Sequence, residues 1–195
     1  FNVVDVGFNS IFLRANKDLL ELLKIFNLEH KNLQKFILKS ENQIEKLYNE
    51  KKGVFTNYDI KNKKKIIVPS ITNYFILFAD LKNQSINKKI IKSLKNHNQN
   101  EKYLFSSIKP NYGKFEEKRY WRGPVWINCN WIIYQGLKNK DKKFANKIKE
   151  KTINLIKKKG FYEYYSFKTG EAFGASNFSW TASLFLDLVM EKKYN

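Results

Sequence analysis

Residues 160–180 read GFYEYYSFKTGEAFGASNFSW. The stretch is dense in aromatics, is punctuated by Gly160, Gly170 and Gly174, and holds only two acids, Glu163 and Glu171. A Lys-rich run over 141–159 precedes it, with Ala145, Ile148, Thr152 and Leu155 on one helical face, and Gly160 is a natural stop for that helix. An apolar run follows, which Asn177 can cap, with Ala182, Phe185, Leu186 and Val189 facing inward. Helices separated by a long aromatic loop fit a barrel or solenoid of helical hairpins better than a plain bundle, whose connections are short. Aromatic faces beside a carboxylate also suit a pocket wall for a polar ring. The plain alternative is a packed loop whose aromatics fill core.

Outward from that stretch, the helix-pair rhythm recurs. Gly123-Pro124 suits the opening of a helix, with Val125, Cys129, Ile132, Ile133 and Gly136 on an apolar face and Asn128, Trp131 and Gln135 on a polar, aromatic one. Toward the N-terminus the periodicity predicts helices over 9–27 and 29–50, a short connection making them neighbours. Residues 52–68 change character: VFTNYDI and KIIV are β-like runs around a polar turn, so a small β excursion is expected. Ser70 can cap a further helix carrying Ile71, Tyr74, Phe75 and Phe78, and another is expected over 85–97. Residues 98–119 read as irregular. The expected architecture is all-α, about seven helices in hairpins, as one domain over 1–195.

Composition bounds the function. Hydrophobic residues make up 43% and aromatics 16%, which a disordered chain does not carry. No apolar run approaches the ~20 residues of a membrane span, so no membrane partner is expected. The opening FNVVDVGFNS has neither an initiator Met nor the basic-then-apolar order of a signal peptide, and the chain reads as starting in mid-protein. The single cysteine, Cys129, allows no internal disulfide and fits the cytoplasm; it reads as a small buried apolar residue. With two histidines and one cysteine, no metal site is expected, and no cofactor motif is present. The net charge of +19 invites a nucleic-acid reading, but only three of the 37 basic residues are arginine. Base and phosphate readout favours arginine's fork, so the lysines read as a solvated surface and no nucleic-acid partner is expected. Two of the three arginines, Arg119 and Arg122, nevertheless fall together.

Three clusters can carry chemistry. Residues 120–128, YWRGPVWIN, set two Trp, an Arg and an Asn around a helix start, which suits a hydroxyl-rich ligand: indole rings stack on sugar C–H faces, and Arg and Asn bind hydroxyls. The alternative is a structural Trp cluster with Arg stacked on it. In the opening stretch Glu163 lies between Tyr162 and Tyr164, where partial desolvation can tune a carboxylate as a base. In residues 1–9, Asp5 reads as a helix N-terminal acid.

YWRGPVWINCNWIIYQGL, followed about 20 residues later by GFYEYYSFKTGEAFGASNFSWTASLFLDL, resembles the C-terminal signature of the trehalase-like six-hairpin glycosidases, in particular the mannosylglycerate hydrolase-like group and glycoside hydrolase family 63. DVGFNSIFLRANKDL and GVFTNYDIKNKKKIIVPSITNYFILFADL are similar to the segments preceding those motifs, so the resemblance covers nearly the whole chain. It implies an (α/α)6 barrel, here its C-terminal part, and an inverting exo-acting hydrolase of a small α-glucoside or α-mannoside, with a glycerate-linked sugar as one candidate substrate. Glu163 falls on the family's general base. Tyr120, Trp121, Arg122, Gly123, Trp126, Asn128, Tyr165 and Trp180 fall at the sugar pocket or beneath it. Phe167 stands where the family usually has Pro, a difference of loop shape. The family's general acid is an Asp in a Gly- and Trp-rich motif upstream of the matching segment, and no such motif occurs in 1–195. The resemblance therefore implies the base without the acid. Two other readings stay open: a non-catalytic carbohydrate- or nucleic-acid-binding module, and an inactive fragment.

Overall fold

The computed structural model describes residues 2–97 and 103–191. The expectations for Phe1 and for residues 98–102 of the irregular segment lie outside the described residues. The chain divides into two compact units, Phe1–Val68 with Thr72–Leu94, and Pro69–Ile71 with Lys95–Asn195.

In the first unit, helix α1 (Val6–Ile25) packs against α2 (Lys31–Glu45). Asp5 caps α1, its Oδ1 accepting the Phe8 N–H at 2.7 Å, which starts the helix three residues before the apolar periodicity does. The same carboxylate accepts Asn57 Nδ2 at 2.9 Å, while Asn57 Oδ1 accepts the Val6 N–H at 2.8 Å. Asp5 is thus the helix acid that its position implied. Asn27, at φ 55°, ends the first hairpin helix as expected.

The second helix stops at Glu45 instead of continuing to residue 50. Tyr48–Asn49 (β2) pairs with Val54–Phe55 (β3), and the Tyr48 and Phe55 rings lie 5.3 Å apart, so extended pairing takes over from the helical pattern. The expected β excursion is present. Val3–Val4 (β1), Asn57–Asp59 (β4) and Lys64–Ile66 (β5) form a three-stranded sheet in the order β1-β4-β5. A largely buried pair, Lys17 Nζ to Glu41 Oε1 at 2.6 Å, ties α1 to α2, and Lys17 also donates to the Ala79 and Asp80 carbonyls. The outward side of α1 leaves Phe8 71% and Ile25 70% exposed.

The helix expected after Ser70 is a 3-10 segment, Ile71–Leu77. Tyr74, Phe75, Ile76 and Leu77 are all buried, so the stretch is apolar around its circumference and offers no solvent face for a regular amphipathic helix. The Ser70 hydroxyl just before it donates to the Ser107 carbonyl. The next helix, α3 (Gln84–His97), lies where the periodicity put it.

In the second unit, α4 (Ile127–Leu137), α5 (Lys142–Lys159) and α6 (Ser179–Met190) pack on one another around Cys129, Ile133, Leu137, Ala145, Ile148, Leu155, Ile156 and Leu188. Asp141 caps α5 by accepting the Phe144 N–H, and Gly160, at φ 88°, closes it. Helix α4 begins three residues later than Pro124 suggested. Val125 is instead strand-like, exchanging two backbone hydrogen bonds with Tyr165 at 2.8 and 3.0 Å and bridging to Ser106. The stretch 160–180 is a β-hairpin rather than a loop: β6 (Tyr162–Tyr165) pairs antiparallel with β7 (Ala172–Ser176). Asn177 adopts φ 51° and leaves the N-cap of α6 to Phe178; on that helix Thr181 and Leu188 are buried and Leu186, expected inward, is exposed.

Candidate active site

The site is built within the second unit on two supports, the 3-10 turn Tyr120–Arg122 and the β6–β7 hairpin. The hairpin places Glu163 at an irregularity. Tyr162 opposes Ser176 and Tyr164 opposes Phe173, so two steps on β6 face three on β7 and Glu163 stands opposite both Gly174 and Ala175. The Tyr120 phenol donates to Glu163 Oε1 at 3.0 Å, and the Ala175 N–H donates to Oε2 at 3.3 Å. Both carboxylate oxygens are held, with lone pairs left over. The bond to Glu163 is the main reason that the Tyr120 phenol is held above the ordinary tyrosine range, with burial adding to it. Tyr120 itself has φ 27°, an uncommon conformation for a side chain of this size, and its carbonyl accepts Trp126 Nε1–H at 3.0 Å.

The indoles of Trp121 and Trp126 stack with centroids 4.4 Å apart and planes 13° from parallel. Trp126 is buried at 2% exposure, whereas Trp121 is 47% exposed. Tyr120 meets Trp126 edge-on at 4.8 Å, and Tyr164 approaches the same indole at 5.1 Å. The result is an open, flat aromatic plate linked to a fixed carboxylate through Tyr120, which meets Trp121 edge-on at 5.9 Å and donates to Glu163. Neither of two cavities, one of about 540 Å³ lined by α1 and α2 and one of about 900 Å³ lined by α4, α5 and α6, has Glu163, Trp121 or Trp126 in its lining.

Several expected substrate contacts have other work. Tyr165 is fully buried; its hydroxyl donates to the Gly160 carbonyl at 2.7 Å and accepts the Tyr162 N–H, so it braces the hairpin from beneath and presents nothing to a ligand. Gly123 is also buried: a Cβ there would stand 2.1 Å from the Glu116 carbonyl oxygen, so glycine is required for two backbone segments to approach. Trp126 supports Trp121 rather than facing outward. Arg122 pairs with Glu116 at 3.2 Å and donates to the Lys114 carbonyl, closing the turn that presents Tyr120 and Trp121. Asn128 is half-buried in the first turn of α4, and Trp180 is 45% exposed in the first turn of α6, 6.4 Å from Phe178. Glu171 is exposed beside the hairpin tip.

The structure adds residues that the sequence did not single out. Gly174 and Ala175 face Glu163, and only the strand register reveals them. Asn130, wholly buried, donates to the Phe105 and Trp126 carbonyls and accepts the Phe105 N–H, fixing the chain just before α4. Ser166 donates to Glu117 and accepts the N–H groups of Lys168 and Thr169, which shapes the hairpin turn. Cys129 is buried and its thiol is pushed up to about 12 by desolvation, so it stays protonated. Among the described residues no helix is long and apolar enough to cross a membrane.

The profile of the mannosylglycerate hydrolase MGH1-like glycoside hydrolase domain matches residues 1–181. The chain belongs to this family. Among curated MGH1-like relatives, the mannosylglycerate hydrolase of Thermus thermophilus is 34% identical over 187 residues, covering 95% of this chain and 45% of that protein. A glucosylglycerate hydrolase of Mycolicibacterium hassiacum is 24% identical over 196 residues, 96% of this chain and 44% of that protein. The crystal structure of a GH63 mannosylglycerate hydrolase from Thermus thermophilus in complex with Tris superimposes with a TM-score of 0.90 at 34% identity, covering 94% of this chain and 45% of that one. The all-α, (α/α)6 helical-hairpin class expected from the sequence is the fold class of this MGH1-like chain. It spans about half the length of the curated relatives it matches.

Proposed function

We propose that this MGH1-like chain carries the base-bearing part of an inverting glycoside hydrolase site for a small α-glycoside, a mannose or glucose linked to glycerate. The observation that carries the reading is Glu163: a half-buried carboxylate with both oxygens fixed, one of them by Tyr120, whose ring meets the exposed Trp121 edge-on at 5.9 Å. The names of the relatives support the substrate class. The sugar's apolar face rests on the Trp121 indole. A water hydrogen-bonded to a free lone pair of Glu163 attacks the anomeric carbon from the side opposite the glycerate oxygen. Glu163 takes the water's proton as the C–O bond forms. The departing oxygen takes a proton from a second carboxyl group, which inversion places roughly 6.5–9.5 Å from Glu163 and which is contributed by sequence outside 1–195. Residues 1–195 then form part of one catalytic domain, and the cytoplasm is the compartment that suits its free thiol.

The test uses the full-length protein with mannosylglycerate and glucosylglycerate. Glu163→Gln lowers kcat by about 10²–10⁴-fold while calorimetric binding of either glycoside persists. Wild-type turnover in that variant overturns the assignment of Glu163. Proton NMR of the first product sugar shows the β-anomer; an initial α-anomer overturns inversion.

A further inference from the structure

We propose that the Gly174–Ala175 bulge of β7 is a positioning device for Glu163, setting the carboxylate where both the Ala175 N–H and the Tyr120 phenol reach it. The inference rests on the reading of Glu163 as the base and names the residues that aim it.

A regular antiparallel ladder places one residue across from each residue and points its N–H either at the neighbouring strand or away from it. Here β7 has one residue more than β6 between the paired positions 162/176 and 164/173. Gly174 takes φ +74°, the left-handed conformation that the first residue of a glycine bulge requires. The turn it introduces swings the next amide, that of Ala175, out of the ladder and onto Glu163 Oε2 at 3.3 Å. A backbone N–H on a carboxylate is a charge-assisted contact that costs no side-chain entropy.

Space fixes the residue type as well as the torsion. A Cβ on Gly174 would stand 2.5 Å from Glu163 Oε2, 2.8 Å from Glu163 Cβ and 2.8 Å from Tyr164 Cε1. Any side chain at 174 therefore moves Glu163 or the Tyr164 ring that flanks Trp126. On the other oxygen, Tyr120 delivers its phenol from a strained backbone position, held there by the Trp126 indole N–H on its carbonyl. Tyr120 and the bulge act on Glu163 from two separate elements, so shifting the carboxylate off the bulge also breaks the phenol bond. That coupling makes Tyr120 a reporter of the Glu163 position.

The experiment labels tyrosine at 13Cζ in the full-length protein and follows the Tyr120 resonance, assigned with Tyr120→Phe, through alkaline titration. In the wild type it titrates above ordinary tyrosine because Glu163 accepts its hydrogen bond. In Gly174→Ala the midpoint falls to that of Glu163→Gln. A midpoint unchanged from wild type overturns the proposal. Ala175→Pro leaves Gly174 intact and replaces the N–H by a ring CH2 that stands against Glu163 Oε2, on an edge strand that tolerates proline at a bulge, so it removes the hydrogen bond and displaces the carboxylate, and serves if Gly174→Ala does not fold. It lowers the same midpoint, and kcat falls about tenfold with KM within about threefold. An unchanged midpoint, or a loss confined to KM, overturns the proposal. A Glu163→Gln protein that keeps its activity removes the base assignment, while the titrations still decide whether the bulge aims the carboxylate.

Discussion

Trp121 lies flat on Trp126, and only Trp121 shows a free face. The buried indole is anchored through Nε1 to the Tyr120 carbonyl, so the outer ring rests on a rigid base. Trp121→Ala removes the plate and leaves Glu163 bonded to Tyr120. The expected result in the full-length enzyme is a KM raised about tenfold or more with kcat changed much less, read by steady-state kinetics. A kcat effect with unchanged KM would show that Trp121 does not bear the sugar.

Gly123→Ala acts on folding rather than binding. Its Cβ would collide with the Glu116 carbonyl and the Glu117 Cα, both backbone, and neither is the tip of a flexible side chain. The turn that the Glu116 N–H and the Arg122 carbonyl close at 2.7 Å must open. A loss of about 2–4 kcal/mol is expected in urea unfolding, by the mechanism of overpacking. A variant as stable as wild type would contradict the close approach.

His97 sets an acid limb of stability. Desolvation, and then the Lys109 charge, lower its pKa from 6.5 to about 4. The folded state therefore resists a proton that the unfolded state accepts, so stability is complete above about pH 6.5 and is lost as pH falls toward 4. The loss amounts to roughly 3 kcal/mol. His97→Phe, which keeps a ring against Phe105, flattens that limb in melting temperatures measured across the range.

Glu191 latches three helices. It accepts hydrogen bonds from the Tyr134 hydroxyl on α4, from Lys138 at that helix's C-cap and from Lys149 on α5, the last at 2.7 Å. Burial opposes its charge, but Lys149 and Tyr134 outweigh that and hold its carboxyl below the usual glutamate range. Glu191→Ala strands Lys149, whose side chain is 9% exposed, and is expected to cost about 2–4 kcal/mol in urea unfolding. The double variant with Lys149→Met should recover much of that loss, since no buried charge remains. The wild-type latch persists at neutral pH and weakens as pH falls through the lowered glutamate range.

The outer side of α1 predicts the behaviour of the isolated 195-residue chain. Phe8, Leu22, Ile25 and Phe26 are each at least half exposed. Apolar surface on that scale favours association. Light scattering should show oligomers, with enhanced fluorescence of a hydrophobic dye; a monodisperse monomer that leaves the dye dark would contradict this.

The helical hairpins, the β excursion after residue 52 and the burial of Cys129 were all legible in the residue order. They follow from periodicity, capping and residue type, which act over a few residues, and from a family signature that local order preserves. Which of the neighbouring aromatics face outward was not legible there. Trp121 and Trp126, or Tyr164 and Tyr165, are alike in composition, but Val125 pairing with Tyr165 fixes which of them is buried. The same holds for Gly123 and Gly174. One admits a backbone carbonyl from the preceding turn, the other admits a carboxylate across a strand, and the sequence marks both only as glycine. Register and close approach depend on partners distant in the chain, so the hairpin at 160–180, the bulge within it and the hold on Glu163 emerge only once the strands are paired.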